Sequence, residues 1–257
     1  MFDLHMHSVW SDGKNTPEEM IREAIARGMD CVGISDHTHT PGDECGMTPE
    51  GTLAYRAEME ALKEKYAGKI RVLCGLERDY YSDDDLAYDY VIGSVHFVRA
   101  PGGGTVIVDW TADKQREGVD ACFGGDWYAF AEAYYDLVGR VVEKTKCDLI
   151  GHFDLLSKFA ETDPLFDPAH PRYVRAWQRA AEKLLKTGIP FEVNTGAMSR
   201  GYRTGPYPSE EIRRYLLERG GRLILSSDAH QKENIGFAFD RYISEVPHAQ
   251  EWLPFMR

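Results

Sequence analysis

The stretch Cys31-Val32-Gly33-Ile34-Ser35-Asp36, followed at once by His37, is a short apolar run that stops at an acid and an imidazole. It is too brief for a helix and does not alternate between apolar and polar side chains. The same design recurs at 1–7, 70–77, 90–97, 148–153, 190–194 and 222–227. Continuously apolar runs rich in Val, Ile and Leu are the mark of parallel strands buried on both faces. Seven strands are therefore expected. Helical patterns separate them at 17–28, 49–67, 126–145, 171–187 and 208–219. The first of these has Thr16 as N-cap, Pro17 at the first helical position and Glu19 placed for a capping box, with Gly28 as its stop. Strand and helix in repeated alternation predict a barrel or a doubly wound sheet. The segment 101–125 breaks the rhythm with Gly102-Gly103-Gly104 and Gly124-Gly125, and is expected to be an irregular loop over a functional site. With no linker, repeat or low-complexity tract in view, a single domain over 1–257 is the simplest organisation.

Composition narrows the function. The net charge of −12 and the lack of a basic stripe argue against a long nucleic acid as partner. No apolar run reaches the roughly 18 residues of a membrane span, and the start of the chain lacks a basic and then apolar leader. The five cysteines are odd in number and form no CxxC pair, so neither a disulfide framework nor a cysteine-ligated zinc site is expected, and a reducing cytoplasm fits.

The decisive feature is where the imidazoles and acids fall. The runs end, in order, at His5-Met6-His7, Asp36-His37, Glu77, His96, His152, Glu192 with Asn194, and Asp228-Ala229-His230. In α/β barrels the C-terminal strand ends share one face, and that face carries the active site. His5 and His7, two apart on a strand, point the same way and can reach one cation. A lone histidine at a strand end is ordinarily a surface or satisfied core residue. Six of the nine histidines at such ends, with Glu77 and Asp228 beside them, point instead to a metal cluster. Imidazole and carboxylate donors together suit zinc, manganese or iron better than calcium or magnesium. His170 and His248 fall outside the pattern, and His39 is near enough to His37 to line the site.

Taken in order, His5-Met6-His7 with Ser11-Asp12-Gly13, Ser35-Asp36-His37, Gly75-Leu76-Glu77, Gly93-Ser94-Val95-His96, Gly151-His152-Phe153-Asp154 and Ser227-Asp228-Ala229-His230 resemble the PHP (polymerase and histidinol phosphatase) family over nearly the whole chain. Glu192-Val193-Asn194-Thr195-Gly196 with Arg200 and Pro206-Tyr207-Pro208-Ser209, and Gly151 to Phe159, look like the histidinol-phosphatases within it. The resemblance implies a distorted (β/α)7 barrel holding three divalent cations. It places the first on His5, His7, Glu77 and Asp228, the second on Glu77, His96 and His152, and the third on Asp12, His37 and His230, with Asp36 orienting its neighbours.

The implied reaction is hydrolysis of a phosphate monoester, with L-histidinol phosphate of histidine biosynthesis as the expected substrate. Arg200 and Lys158 are the candidate phosphate clamp. Glu77, Asp228 and His230 are the candidate catalytic residues, the last two as proton donors to the leaving alkoxide. Tyr80, Phe97, Trp110 and Glu161 are candidates for receiving the substrate's cationic amine. The competing readings are a PHP phosphatase for another small ester, a nucleotide or phosphotyrosine, a nuclease, and a non-catalytic metal-binding module.

Overall fold

The computed structural model describes residues 1–40, 43–253 and 255. Its elements run β1 (Phe2–Asp3), α1 (Pro17–Ala26), β2 (Cys31–Ile34), α2 (Pro49–Tyr66), β3 (Arg71–Asp79), β4 (Tyr90–Ser94), β5 (Phe97–Arg99), β6 (Thr105–Ile107), α3 (Ala112–Phe123), α4 (Trp127–Val138), α5 (Val141–Thr145), β7 (Leu149–Ile150), α6 (Pro171–Leu185), β8 (Phe191–Asn194), α7 (Gly196–Ser199), α8 (Glu210–Glu218), β9 (Leu223–Ser226) and α9 (Phe239–Tyr242). Among the described residues β1, β2, β3, β4, β7, β8 and β9 form one parallel sheet in that order. The seven strands are those anticipated from the apolar runs.

The sheet curls until its two edges meet. Met6 and Ala229 form a parallel bridge, in which His7 N donates to Ala229 O at 2.9 Å. Further toward the N-terminal end the edges stand apart, and the fully buried Asp3 carboxylate spans the gap. It accepts from Ser227 N at 3.1 Å and Gly236 N at 3.0 Å. Burial pushes the Asp3 carboxyl above its usual pKa, and these bonds pull it partly back. The result is a nearly closed seven-stranded barrel, distorted because β3 passes to β4 without an intervening helix.

Local signals explain the outer layer. Thr16 Oγ1 accepts from Glu19 N while Glu19 Oε2 accepts from Thr16 N, so the capping box of α1 forms. The stretch 126–145 was expected as one helix and divides into α4 and α5 at Gly139-Arg140, where glycine's weak helix propensity meets the packing of α4 on α6. The segment 101–125 is also corrected. It is not irregular, since it contains β6, paired antiparallel with β5, and α3, whose N-cap Thr111 accepts from Lys114 N at 3.1 Å. A three-residue strand and a helix with Gly118 at its middle leave too weak a periodicity to read.

Inside the barrel, Tyr90 fills the space between β2 and β3. A Cβ added at Gly33 would lie 2.1 Å from its hydroxyl, and one at Gly75 would lie 2.2 Å from its ring. The hydroxyl donates to Leu4 O at 2.5 Å, fixing the ring beneath the rim. Gly75→Ala should therefore cost about 1–3 kcal/mol through overpacking. Gly102→Ala, with no atom within 4 Å of the new carbon, should stay within about 0.5 kcal/mol of the parent. Urea denaturation of the two variants checks both.

Candidate metal centre

The strand ends bring Glu77 to the middle of the rim. This buried carboxylate is surrounded by five imidazoles. Its Oε2 lies 2.8 Å from His37 Nδ1, 3.3 Å from His5 Nε2 and 3.6 Å from His7 Nε2. Its Oε1 lies 2.9 Å from His152 Nε2 and 3.4 Å from His96 Nε2, and accepts from Ser94 Oγ at 2.6 Å. Burial works to raise the Glu77 pKa, yet His37, His5, His96 and His152 hold it well below the usual carboxylate range.

Asp228 and Asp12 complete the acids. Asp228 Oδ1 is 3.3 Å from His7 Nε2 and 3.4 Å from His230 Nδ1. Asp12 Oδ2 is 3.2 Å from His230 Nε2, and its Oδ1 is 3.7 Å from His37 Nε2. Asp228 adopts a left-handed backbone, φ 49°, uncommon outside glycine and tolerated best by Asn and Asp. Gly196 leaves room for the Asp228 side chain, since a Cβ on the glycine would meet Asp228 Oδ2 at 2.6 Å.

The imidazoles do not behave alike. Burial drives His7 down to about 3, helped by neighbouring His37 and His230. Burial also disfavours charge on His37, but Glu77 and Asp12 outweigh it and lift that group to about 9. Several buried ligand atoms here, namely His5 Nε2, both His7 nitrogens and Glu77 Oε2, have close neighbours but no aligned hydrogen-bond partner among the described residues. Buried nitrogens and oxygens that face one another without aligned partners are costly unless a cation satisfies them. The donor set of imidazole and carboxylate fits zinc, manganese or iron.

Three groups of donors are compact enough for one ion each: His5, His7 and Asp228; His7, Asp12, His37 and His230; and His37, Glu77 and His96. The first shares His5, His7 and Asp228 with one set implied by the sequence but lacks Glu77, and the second holds Asp12, His37 and His230 of another with His7 added. In the third, His37 stands where His152 was expected, although His152 adjoins the same Glu77 oxygen as His96.

Orienting contacts surround these groups. Glu192 Oε1 is 2.8 Å from His5 Nδ1, and Oε2 accepts from His152 N and Asn194 Nδ2. Asp79 Oδ2 accepts from His96 N at 2.9 Å. Asp36 accepts from Ser8 N and from the hydroxyls of Ser8 and Ser11, so it orders the first turn while Asp12 faces the imidazoles. Glu192 was legible as a strand-end acid without a role, and its register on β8, one residue past Phe191, was the signal that aimed it inward.

A cleft of about 680 Å³ opens above the imidazoles and is lined by Lys158, Arg200, Phe97, Trp110 and Asp109 among others. Arg200 lies 3.2 Å from Asp228 Oδ2 and 2.8 Å from His230 Nδ1. Lys158 Nζ donates to Asp109 O at 2.6 Å, a contact the sequence did not disclose because Asp109 lies in the segment misread as irregular. Tyr80 and Glu161 are outside the cleft lining; Tyr80 packs on Tyr81 and Glu161 accepts from Thr204 N. His39 is exposed and absent from that lining. His170 caps α6, and His248 is exposed beside Glu251.

The model of the PHP domain matches residues 3–196, well over half of the chain. The chain belongs to the PHP family. Asp228 and His230 lie beyond the matched stretch, and the Met6–Ala229 bridge ties them to it. A Deinococcus radiodurans protein named probable histidinol-phosphatase is 28% identical over 95% of this chain and 92% of its own length. Among solved structures, HisK of Listeria monocytogenes superposes with a TM-score of 0.79 at 23% identity, covering 94% of this chain and all of its own. Histidinol phosphate phosphatase of Lactococcus lactis, complexed with zinc, L-histidinol and phosphate, gives a TM-score of 0.66 at 21% identity, over 96% of this chain and 93% of its own. Both share the PHP barrel described above.

Removing the Glu192 charge should loosen metal binding without unfolding the barrel. Glu192→Gln is expected to weaken zinc binding roughly 10- to 100-fold, read by competition with a chromogenic chelator.

Proposed function

We propose that the protein is a metal-dependent phosphomonoesterase that hydrolyses L-histidinol phosphate to L-histidinol and phosphate. The observation that carries the proposal is the convergence of His5, His7, His37, His96, His152 and His230 with Asp12, Glu77 and Asp228 below a cleft that also exposes Arg200 and Lys158. The name of the Deinococcus relative and the ligands of the Lactococcus enzyme support the choice of substrate.

Three divalent cations of zinc, manganese or iron are assigned to the rim, on His5, His7, Glu77 and Asp228, on Glu77, His96 and His152, and on Asp12, His37 and His230. When bound, such ions supply Lewis-acid charge and lower the pKa of coordinated water. The chain's own residues do the rest. Arg200 offers a planar pair of donors to phosphoryl oxygens, and Lys158 adds a compact charge. Both are already held, Arg200 by Asp228 and Lys158 by Asp109, so little ordering remains when the ester arrives. Of the alternatives Asp228 or His230 as proton source for the leaving alkoxide, His230 is the one proposed, because Asp228, although burial works to raise its pKa, is held well below the usual carboxylate range by Arg200. Phe97 and Trp110 line the cleft and are the proposed aromatic partners of the substrate's amine.

No helix among the described residues is long and apolar enough to cross a membrane. Cys45, Cys74, Cys122 and Cys147 are free thiols, which suits the reducing cytoplasm where we place the reaction.

Phosphate release from L-histidinol phosphate should exceed that from an aryl phosphate at least about a hundredfold in kcat/KM, the discrimination expected when buried polar groups recognise a ligand. Equal rates on the two esters would remove the substrate assignment. Glu77→Gln should abolish turnover and lower the metal content measured by mass spectrometry. Retention of both would contradict the bridging role of this carboxylate.

A further inference from the structure

The segments that bring Lys158 and Arg200 to the cleft come from different strands, β7 and β8. A buried ion pair joins them. Asp154, 1% exposed, lies between His152 and Lys158, and Arg203 lies three residues beyond Arg200. Asp154 Oδ2 accepts from Ser209 N at 3.0 Å and lies 3.6 Å from Arg203 NH1. Arg203 NH1 also donates to Ser157 Oγ at 2.7 Å, and Ser157 Oγ in turn donates to Asp154 O. The guanidinium lies 4.5 Å above the ring of buried Tyr207, whose backbone pairs in both directions with Asn194 of β8. One carboxylate and one guanidinium thus fasten the 200–209 segment to the 152–158 segment.

Stability alone does not account for the pair. Two charges taken out of water repay their desolvation only with good geometry and full satisfaction of the remaining polar atoms. Here Asp154 Oδ1 and Arg203 Nε are buried without hydrogen-bond partners among the described residues. The contact is also long for a charge-assisted bond. Neither group lines the metal cleft. A pair that is incompletely satisfied, outside the cleft lining, and joins the two segments carrying the basic residues of the clamp is placed to fix position.

We infer that Asp154 and Arg203 are positioning residues, an internal staple that sets the placement of Arg200 relative to Lys158 and so the fit of the cleft to a phosphoryl group. The inference rests on the proposed phosphomonoesterase activity for its purpose, and its test reads phosphate binding directly. Inorganic phosphate is titrated into the manganese-loaded protein by calorimetry. The parent is compared with Asp154→Asn, which keeps the shape and the oxygen facing Ser209 N, and with Asp154→Asn/Arg203→Met, which removes both charges. Metal content and Tm are measured on each.

Both variants should hold as much metal as the parent and bind phosphate roughly tenfold more weakly, with KM for the ester rising more than kcat falls. The double variant should regain Tm lost by the single one, because no buried charge is left alone, yet not regain phosphate affinity. Unchanged phosphate affinity in Asp154→Asn overturns the inference. So does recovery of affinity together with Tm in the double variant, since the pair would then serve stability only. A parent that binds no phosphate overturns it as well. A parent that binds phosphate but turns over no histidinol phosphate refutes the activity while leaving the staple to stand on its affinities.

Discussion

One carboxylate, Glu77, organises the rim. A buried acid without partners is expelled as an ion or protonated. Glu77 escapes both because five imidazoles, delivered by β1, β2, β4 and β7, close around it. Each of those strands must end at the right height for this to occur. The register of the sheet is therefore tied to the chemistry of the site: Glu77 faces Ile92 across β3 and β4, and Ile92 faces Leu149 across β4 and β7. A one-residue slip in any pair would turn an imidazole away from the carboxylate.

Closure of the barrel serves the same end. Asp228 and His230 follow the last strand and His5 and His7 follow the first, so their meeting depends on the seam between β9 and β1. That seam has little ladder. It consists of the Met6–Ala229 bridge at the rim and the Asp3 carboxylate lower down. Using a side chain in place of ladder bonds lets the edges separate where packing requires it and rejoin at the level of the ligands. Tyr90 contributes from inside, because its hydroxyl holds Leu4 O just before His5 departs from the strand.

Much of this was legible. Seven apolar runs gave seven strands because fully buried parallel strands leave an unbroken signature. The strand-end histidines and acids were readable because a barrel converts position along many strands into proximity at one face. Asp12 and Asp36 both adjoin ligand motifs, so strand-end position alone did not rank them and only the family resemblance did. Three hydrogen bonds from Ser8 and Ser11 to Asp36 separate them. The grouping of donors was also beyond the sequence: His37 and His152 approach Glu77 from opposite oxygens, and spacing along the chain carries no information about which oxygen a ring will meet. The segment 101–125 hid β6, α3 and Asp109, because short elements supported mainly by tertiary packing have almost no local pattern.

The site and the fold also differ in what they ask of stability. Below the rim the buried Tyr90 hydroxyl, inside the barrel, and the Tyr55 hydroxyl, between α2 and the sheet, are bonded to strand carbonyls. The rim is the reverse, carrying orphaned imidazole and carboxylate atoms and an aspartate in a left-handed backbone. Such features are tolerated where a ligand supplies the missing partner. A cation bound at a hundred times its Kd stabilises a folded chain by about 2.7 kcal/mol, a large part of the margin that keeps a domain folded. Cations held by these orphaned atoms would therefore couple metal binding to folding through the same groups that serve the chemistry, and a net charge of −12 is compatible with such a role.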